Sequence, residues 1–412
     1  MIDLELLRKN QQDVKKHIYK KDPAYDFDLL CDLDKEVRRL KSDLEELRKQ
    51  KNDLAKAGQQ GVTAQLREQS VALGKHIKIK EAELEVIETR FQEHALSCPN
   101  IPFEDVPVGG KEKNQVIKMV GNKKEFSFPV KNHVELATQL GWIDFEVGAQ
   151  ISGAGFPFYQ GDGVRLLYSL TMFMLKNNIK HGFEPMLPSA LVNERSLEVS
   201  GNFPKFKEQV YAVPGDGLFL TPTSEVNLAN RYREHIFNKQ DLPVRMTAWT
   251  NCFRREAGSY GATERGLIRI HQFDKVELVT ICQPEHSPAE LDRMVACAED
   301  ILKQLDLHYR ISLLAAEDCS FQSAKTFDIE VWLPGQKEYY EVSSASNCTD
   351  FQARRGLIRY REKEGEKTKL VHTLNASSLA LPRLIVAIME TYQQADGSIV
   401  IPDVLKREGL FG

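Results

Sequence analysis

The chain has 412 residues, of which 28% are charged, and its formal net charge is -4 at pH 7. This length predicts roughly two to three domains, with enough apolar sequence for at least one large core. The weak negative charge excludes a global positive field, so any nucleic-acid partner must be held by local basic patches.

Cysteine usage and hydropathy indicate the compartment. The seven cysteines are scattered without a C-x-x-C pair, which argues against a disulfide framework and against a thiolate zinc site. The first residues, Met-Ile-Asp-Leu-Glu, are acidic where a secretory signal would be basic and then apolar. No run approaches the ~18 apolar residues of a membrane helix. We therefore expect a cytoplasmic protein with reduced thiols, no zinc and no membrane association.

Two heptad ladders of mainly apolar residues dominate the first hundred residues. One covers Leu33–Leu54 and the other Leu66–Phe91, and the helix-breaking Gly58–Gly61 lies between them. Facing positions in the ladders have residue numbers that sum to 120 or 121, as an antiparallel pair requires. The pattern predicts a helical coiled-coil hairpin over about 29–95 with its turn near 58–62.

The charges of this predicted hairpin are balanced. Residues 1–100 contain nineteen Lys or Arg and nineteen Asp or Glu. By itself, such a hairpin is compatible with a coiled coil that only dimerises or bundles. Nucleic acid would have to be bound through local clusters that neutralise phosphates and release counterions. The candidate clusters are Arg38, Arg39, Lys41, Arg48 and Lys49, and Lys75, Lys78 and Lys80, although a solvated helix face explains each residue equally well.

A Pro- and Gly-rich stretch, Cys98–Gly110, predicts a linker between the hairpin and a globular body. Beyond it, apolar strands and amphipathic helices alternate without repeats. Val164–Leu175 has the composition of a buried helix, and His181–Pro188 predicts a turn followed by a short strand. The predicted boundaries are 1–100 for the helical arm, 101–130 for the linker and start of the body, and 131–412 for the main domain.

The most informative stretch is Phe253–Tyr260 followed by Arg269–Glu277. Side chains alternate along a strand, so Arg254 and Glu256 would share one face. The odd-numbered residues of the next strand, Arg269, His271, Phe273, Lys275 and Glu277, would likewise share one face. Cations, an aromatic ring and carboxylates on one surface suit ATP together with an amino acid. In isolation, Arg-x-Glu would fit a cross-strand salt bridge as well.

The residue types at Arg254 and Glu256 match this chemistry. A planar guanidinium can bridge a carboxylate and a phosphate oxygen, which a lysine cannot do in bidentate fashion. A glutamate can accept a hydrogen bond from an adenine amino group. These two residues are therefore the candidate catalytic groups for activating a carboxylate with ATP.

The order Phe-Arg-x-Glu, variable loop, Arg-x-x-x-Phe resembles motif 2 of class II aminoacyl-tRNA synthetases. With its flanking residues, it is similar to the seryl-tRNA synthetase family. The helix and strand ending at Pro188 resemble motif 1, which forms the dimer interface of that class. Tyr339–Arg355 resembles the segment that meets the triphosphate and its magnesium, and His372–Arg383 resembles motif 3, a strand that turns into a helix. The resemblance covers essentially the whole chain in order.

This resemblance implies an α+β protein with an N-terminal antiparallel helical hairpin. A class II catalytic domain follows, built on a mostly antiparallel sheet flanked by helices. The implied activity joins serine to the 3′ end of tRNA(Ser) through seryl-adenylate, with ATP as substrate and Mg²⁺ as cofactor. The implied assembly is a homodimer. Whether a selenocysteine tRNA, tRNA(Sec), is also charged is left open.

The resemblance also assigns roles to residues. Phe273 would stack on one face of the adenine, and the guanidinium of Arg383 on the other. Glu341 and Ser344 offer hard oxygen ligands that suit Mg²⁺. The implied ATP-binding set is Arg254, Arg255, Glu256, Ile270, Phe273, Glu341, Val342, Ser343, Ser344 and Arg383. The implied serine-binding set is Thr223, Ser224, Glu225, Glu277 and Ser377.

The chain departs from the family pattern at several positions. Ala376 and Ser378 replace the glycines of the usual Asn-Gly-Ser-Gly, which would be costly if those glycines needed a positive φ. Their small side chains indicate instead that only bulk is restricted. Ser224 stands in the usual Thr-Ala-Glu, and only Arg265 of the motif 2 loop is carried over, which puts the contacts of that loop with the tRNA acceptor end in doubt.

Two rival functions remain. The first is an amino-acid:carrier-protein ligase derived from the same catalytic domain, against which the long hairpin argues. The second is an inactive paralogue that acts as a coiled-coil scaffold, against which the intact Arg254, Glu256, Glu277, Glu341 and Arg383 argue. Class I signatures and the G-x-x-x-x-G-K-[ST] phosphate loop do not occur in the sequence.

Overall fold

The computed structural model describes residues 2–59, 63–257 and 266–411, which divide into two compact units between Pro99 and Asn100. The first unit is helical, and the second is built on a mostly antiparallel sheet with helices. The predicted α+β fold class is therefore confirmed. Among the helices of the described ranges, none combines the length and apolar character needed to cross a lipid bilayer.

The first unit consists of short helices followed by a long helical hairpin. Its helices are α1 (Leu4–Lys9), α2 (Gln11–Lys21), α3 (Phe27–Gly58) and α4 (Ala64–Leu96). The side chain of Asp26 caps α3 by accepting from the Leu29 N–H at 3.0 Å. Thr63 caps α4 in the same way, accepting from the Leu66 N–H at 3.2 Å. Each cap satisfies a backbone donor that lacks a partner within its helix.

Packing in the hairpin is uneven along its length. At its base, the rings of Tyr25 and His94 stack with centroids 4.8 Å apart. Buried positions on α3 extend outward only as far as Leu44, and the apolar positions beyond it are half-buried. Further out, the ion pairs Lys41–Glu88 (2.6 Å) and Arg48–Glu81 (2.8 Å) join the two helices in antiparallel order. Exposed pairs of this kind contribute about 0–1 kcal/mol each, so the outer hairpin depends on its half-buried apolar seam.

The second unit contains the remaining elements. Its helices are α5 (His133–Leu140), α6 (Phe145–Ser152), α7 (Asp162–Lys180), α8 (Glu194–Ser200), α9 (Ser224–Asn230), α10 (Ser287–Gln304), α11 (Phe351–Gly356), α12 (Leu381–Tyr392) and α13 (Asp403–Lys406). Its strands are β1 (Gln115–Val120), β2 (Ile143–Asp144), β3 (Phe158–Tyr159), β4 (Glu184–Met186), β5 (Leu191–Asn193), β6 (Ala212–Val213), β7 (Leu218–Leu220), β8 (Ile236–Asn238), β9 (Val244–Phe253), β10 (Gln272–Cys282), β11 (Tyr309–Leu313), β12 (Lys325–Leu333), β13 (Glu338–Asn347), β14 (Arg359–Arg361), β15 (Lys369–Leu370) and β16 (His372–Ala380).

The main sheet has the strand order β1-β11-β12-β13-β16-β10-β9-β4. Its neighbours are antiparallel except for β4 and β9, which are parallel. Helices α7, α10 and α12 pack against this sheet. Apolar side chains of the strands and helices form one large buried core between them. The smaller sheets β5-β7-β6 and β15-β14-β8 belong to the same unit.

Three register shifts interrupt the regular pairing of the main sheet in the described ranges, one between β1 and β11 and two in strands that border the site. Between β12 and β13, Ile329 pairs with Ser343 but Glu330 pairs with Glu341, so Val342 is an extra residue. Between β10 and β16, Val276 pairs with Leu379 but Glu277 pairs with Ser377, so Ser378 is an extra residue. A bulge changes which side chains share a face, and both of these lie in predicted site segments.

The predicted pair of strands around residue 260 is present, but its ends differ from the prediction. The strand β9 ends at Phe253, which pairs with Gln272 at the start of β10. Arg254 and Glu256 therefore lie in the chain that leaves the sheet, and Glu256 has a φ of 50°. The prediction that they share a strand face was wrong because the ladder ends before them. Arg269 and His271 precede β10, so the prediction that they belong to its face was wrong, whereas Phe273, Lys275 and Glu277 share one face of β10 as predicted.

Candidate functional site

A cavity of about 190 Å³ is bordered by β10, β13 and β16 and by the segments that follow β9 and precede β10. Several residues predicted from the sequence line it: Arg254, Glu256, Ile270, Phe273, Glu341, Ser377 and Arg383. Arg269 and Lys275, for which no specific role was predicted, line it as well. Cationic, aromatic and acidic groups from distant parts of the chain thus meet at one place.

Arg254 is held at the edge of this cavity by three contacts. Its backbone N–H donates to the His271 carbonyl at 2.9 Å. Its Nε donates to the Pro222 carbonyl at 3.3 Å, and its guanidinium lies 5.1 Å from the Phe273 ring centroid. The guanidinium is therefore oriented by the protein before any ligand binds, which is what charge stabilisation in a transition state requires.

Glu256 and Arg269 form an ion pair beside Arg254. Arg269 Nη1 donates to Glu256 Oε2 at 2.6 Å. The positive φ of Glu256 is a conformation that residues other than glycine rarely adopt, and such backbone is concentrated at functional sites. Both side chains line the cavity, so the pair lies where a ligand would contact it.

Arg383 stands in the first turn of α12 and crosses the cavity toward β13. Its Nη1 donates to the Glu341 carbonyl at 2.8 Å and lies 3.5 Å from Glu341 Oε2. Its Nε donates to the Ile268 carbonyl at 3.4 Å. The strand-to-helix junction predicted for motif 3 is present, and it fixes Arg383 between two walls of the cavity.

Four of the predicted ATP-binding residues do not line this cavity: Arg255, Val342, Ser343 and Ser344. Arg255 donates its backbone N–H to the Gln209 carbonyl at 2.9 Å. Val342 is fully buried, and the Ser343 hydroxyl donates to the Ser377 carbonyl. Val342 and Ser343 thus form part of the sheet that supports the cavity, and their predicted roles remain predictions.

The bulge at Val342 places Glu341 and Ser344 on the same face. In a regular strand, residues three apart point to opposite faces. Here Glu341 pairs with Glu330 and Ser344 pairs with Asp328, and these two partners, two residues apart on β12, share a face. Burial, followed by the charge of Glu341, raises the pKa of Asp328 well above its usual range. The side chains of Asp328, Glu330, Glu341 and Ser344, which include both predicted metal ligands, therefore lie on one face.

A second cluster contains the predicted serine-binding residues. Thr223 caps α9, and its Oγ1 donates to Glu277 Oε2 at 3.2 Å. The Lys275 ammonium pairs with the same carboxylate oxygen, and both side chains are buried. Ser377 faces Glu277 across β10 and β16. Ser224 is fully buried, and its hydroxyl lies 2.5 Å from Thr250 Oγ1 on β9.

Glu225 lies at the start of α9 and is buried among amides. Its Oε1 accepts from Gln352 at 2.7 Å, from Asn375 at 2.9 Å and from Gln322 at 3.3 Å. Burial and then the charge of Glu277 raise the pKa of Glu225 to about 7. A buried carboxyl that titrates near neutrality next to a second carboxylate is well suited to receive a cationic group.

A larger cavity, of about 730 Å³, adjoins the first. Arg254, Glu256 and Arg269 border both cavities, and the larger one is also lined by Pro222, Thr223 and Gln322. Arg254 therefore lies between the first cavity and Thr223, whose hydroxyl contacts Glu277. Residues 258–265, which include Arg265, are outside the described ranges.

Sequence reasoning missed several groups of the site. Lys275 and Asn375 stand inside recognised motifs, so their position was a usable signal. Gln352 lies within the recognised segment Tyr339–Arg355, whereas Gln322 and Asp328 come from segments without a motif, and only the fold brings these groups to Glu225 and Glu341. Their contribution could not be found from spacing.

This fold and this site define the catalytic core of a class II aminoacyl-tRNA synthetase. Accordingly, the family model described as tRNA synthetase class II core domain (G, H, P, S and T) matches residues 210–392. The model described as Seryl-tRNA synthetase N-terminal domain matches residues 1–102.

Full-length relatives narrow the class to one family. The chain is 46% identical to the serine--tRNA ligase of Chlamydia abortus over 98% of this chain and 97% of that relative. Seryl-tRNA synthetase from Pyrococcus horikoshii, solved in complex with ATP, superposes with a TM-score of 0.92 at 33% identity, covering 99% of this chain and 98% of that one. The cytoplasmic serine-tRNA ligase of Naegleria fowleri, solved with AMP, gives 0.86 at 28% identity, covering 99% and 96%. The chain belongs to the seryl-tRNA synthetase family.

Proposed function

We propose that this protein is an ATP-dependent serine–tRNA ligase. It activates L-serine as seryl-adenylate and then transfers the seryl group to the 3′ end of tRNA(Ser). The observation that carries the proposal is the position of Arg254, which borders both the cationic and aromatic cavity and the approach to the buried acidic cluster. The first cavity suits a nucleotide, the carboxylates of Glu225 and Glu277 suit the ammonium group of an amino acid, and Arg254 can contact a ligand in the first cavity and one beside Thr223.

The first cavity has the groups that an adenine nucleotide needs. The adenine ring fits between the Phe273 ring and the Arg383 guanidinium, with Glu256 as acceptor for its amino group. The Phe273 ring and the Arg383 guanidinium both line the cavity. The ATP and AMP complexes of the two structural relatives support this assignment.

The buried residues around Glu225 and Glu277 account for the selection of serine. The ammonium group would be received by Glu225 and Glu277, and the hydroxyl by Thr223 and Ser377. An amino acid without the hydroxyl would leave buried polar groups unpaired, which can reduce its use by up to ~10⁴-fold. Burial and then the charge of Glu277 raise the pKa of Glu225 to about 7, and a cationic group bound beside it would favour its carboxylate form.

The chemistry then follows from positioning. A serine carboxylate oxygen attacks the α-phosphorus, the bond to the bridging oxygen breaks, and pyrophosphate leaves with the electron pair. Arg254 holds the two anions together and stabilises the charge on the transition state. In the second step, a ribose hydroxyl of the tRNA attacks the seryl carbonyl carbon and AMP leaves. Neither step requires a covalent bond to the protein.

Glu341 and Ser344 are proposed to hold Mg²⁺ at the phosphates, where it would supply charge neutralisation. The donor set fits a hard cation, because both oxygens lie on one face of the sheet. Asp328 Oδ1, opposite Ser344, is buried and has no hydrogen-bond partner among the residues that the structure describes. An oxygen-rich face with an unsatisfied buried carboxylate oxygen is compatible with a divalent cation.

The hairpin α3–α4 is proposed to bind the tRNA. Its clusters of Lys and Arg can neutralise phosphates locally even though the first hundred residues are neutral overall. The match of residues 1–102 to the family's N-terminal domain supports this assignment. The selenocysteine tRNA is a second candidate substrate for the same surface. We place the enzyme in the cytoplasm, where its seven cysteines, all buried as thiols, would stay reduced.

A homodimer is proposed through α7 and the strand β4 that follows it. Tyr168, Met172 and Ile179 on α7 are 46%, 46% and 48% exposed, and Leu187 just after β4 is 85% exposed. Apolar exposure of this kind marks an interaction surface. Sedimentation of the wild type should give twice the chain mass, and Met172→Glu should shift it toward the monomer. A wild-type monomer at micromolar concentration would contradict the dimer.

The catalytic proposal is tested by ATP–pyrophosphate exchange with each of the twenty amino acids. Serine should stimulate exchange far above alanine, glycine, threonine and cysteine. Strong stimulation by glycine or alanine would indicate the carrier-protein ligase instead. No stimulation by any amino acid would indicate the inactive scaffold.

A further inference from the structure

The bulge on β16 lies directly beside a pair of residues that are both proposed to bind serine. Glu277 on β10 pairs with Ser377, and the next pair is Val276 with Leu379, which leaves Ser378 as the bulged residue. Directly paired residues share a face, so the bulge decides that Glu277 and Ser377 point to the same side. Displacement of the bulge by one residue would separate them.

Ser378 occupies a position where the family usually has glycine, yet its backbone needs none of a glycine's freedom. Neither Ala376 nor Ser378 has a positive φ. Both side chains are fully buried. The expectation that only bulk is restricted at these positions is consistent with this backbone. The extra hydroxyl of Ser378 therefore needs a different explanation.

That hydroxyl belongs to a buried hydrogen-bond chain. Ser378 Oγ donates to Asn178 Oδ1 on α7 at 2.9 Å. Asn178 Nδ2 donates to Thr247 Oγ1 on β9 at 2.9 Å. Thr247 Oγ1 in turn donates to the Glu277 carbonyl at 2.9 Å. Each donor has one acceptor, and Ser378, Asn178 and Thr247 are all fully buried.

We propose that Ser378, Asn178 and Thr247 form a clamp that positions the serine pocket. The clamp holds the bulge on β16 and the Glu277 backbone on β10 to one rigid residue of α7. It acts from the side of the sheet where α7 packs, opposite to Glu277 and Ser377, so its members are positioning residues that do not touch the substrate. The inference rests on the proposed function, because it assigns Glu277 and Ser377 to serine.

Asn178 suits this role because its amide both donates and accepts. Its Oδ1 also accepts from Cys297 Sγ on α10 at 3.3 Å. Neighbouring Asn177 donates to the Cys297 carbonyl at 3.1 Å, which ties the same turn of α7 to α10. A buried amide with satisfied partners on three elements has one orientation, and it transmits that orientation to both strands.

The test uses Ser378→Ala and Thr247→Val, which remove one hydroxyl each with little change in volume. Calorimetric titration of the intact enzyme should show serine binding weakened about 5-fold in each variant, as expected for one buried hydrogen bond. The KM for ATP in pyrophosphate exchange should change less than 2-fold. Preference for serine over threonine should fall with serine affinity, because a displaced bulge widens the pocket.

The chain offers two matched controls. Ser169 on α7 and Thr280 on β10 are buried, and their hydroxyls have no hydrogen-bond partner in the described part of the chain. Ser169→Ala and Thr280→Val should therefore leave serine affinity unchanged. In the double variant Ser378→Ala/Thr247→Val, serine affinity should fall by less than the product of the two single-variant factors, because both changes break the same hydrogen-bond chain.

The outcomes separate the clamp from the proposed function. If the wild type binds serine and the clamp variants bind it equally well, the clamp is refuted and the function stands. Equal losses in the control variants, or parallel changes in the serine and ATP constants, would also refute it, since general loosening of the fold would explain them. A wild type that does not bind serine would overturn both.

Discussion

Serine binding should release a proton from Glu225. Burial and the charge of Glu277 raise the pKa of Glu225 from an ordinary value of 4.5 to about 7. The positive charge of Lys275 and the amides of Gln352 and Gln322 act in the opposite direction. If the serine ammonium requires ionised Glu225, binding at pH 7 must remove a proton from about half of the enzyme molecules.

The size of the pH effect on serine binding follows from the pKa of Glu225. The apparent dissociation constant of serine should scale as one plus 10 raised to the power of 7 minus pH. It should therefore fall about 10-fold between pH 6 and pH 8. Calorimetry in buffers of different ionisation enthalpy should record about 0.9 proton released per serine at pH 6, about 0.5 at pH 7 and about 0.1 at pH 8.

Glu225→Gln supplies the control, because it keeps the amide contacts approximately but cannot titrate. It should bind serine more weakly and with an affinity that is independent of pH between 6 and 8. Constant serine affinity in the wild type over this range, together with no proton release, would refute the role of Glu225. The pH dependence of protein stability gives a second measurement, because the contribution of Glu225 to stability falls with rising pH whereas serine affinity rises.

The sign for stability follows from the direction of the shift. The pKa of Glu225 is higher in the folded state than in the unfolded state, so the folded state binds the proton more tightly. Its contribution to stability is complete below pH 4.5 and is lost as pH rises to about 7. Bound serine would favour the carboxylate, so the rise in melting temperature on adding serine should be larger at pH 8 than at pH 6.

Three further predictions concern other parts of the molecule. Arg254→Lys should lower the rate of adenylate formation by on the order of 10²-fold with folding intact, whereas Arg245→Lys, which changes an arginine on β9 that pairs with Glu290, should leave it nearly unchanged. A loss of thermal stability with normal exchange would instead make Arg254 a structural residue. Glu341→Gln should raise the Mg²⁺ concentration for half-maximal exchange on the order of 10-fold, and Glu330→Gln should not, since Arg310 already pairs with Glu330 at 2.9 Å. Equal responses in these two would argue against a metal at Glu341. Replacing residues 45–76 with a short Gly/Ser linker should preserve serine-dependent exchange but abolish tRNA charging at physiological salt; unchanged charging would refute the role of the hairpin.

Where the chain follows regular periodicity, the sequence predicted the structure well. The two ladders predicted an antiparallel hairpin with a break near Gly58, and α3 and α4 end and begin around that break. Motif 3 was predicted as a strand leading into a helix, and β16 passes directly into α12 with Arg383 in its first turn. These elements are local, so the spacing of apolar residues is sufficient to specify them.

The candidate site was predictable to the extent that motifs carry it. Resemblance located Arg254, Phe273 and Arg383, and the fold brings all three to one cavity. Two of the amide donors around Glu225 were not predictable: Gln322 precedes β12 outside any motif, and Gln352, although inside the segment Tyr339–Arg355, has no spacing relation to Glu225. A buried carboxylate needs such donors, yet any buried amide brought there by the fold would serve, so no spacing rule identifies them.

Alternation rules failed at the places where the proposed chemistry lies. Regular strand geometry would put Glu341 and Ser344 on opposite faces, and an extra residue at Val342 brings them together. The same device at Ser378 lets Glu277 and Ser377 face each other. A bulge costs regular pairing and must be held by other contacts, which the Asn178 amide supplies at one of these positions. A prediction from alternation assumes that every ladder is regular, so it will misplace side chains wherever a binding site depends on a bulge.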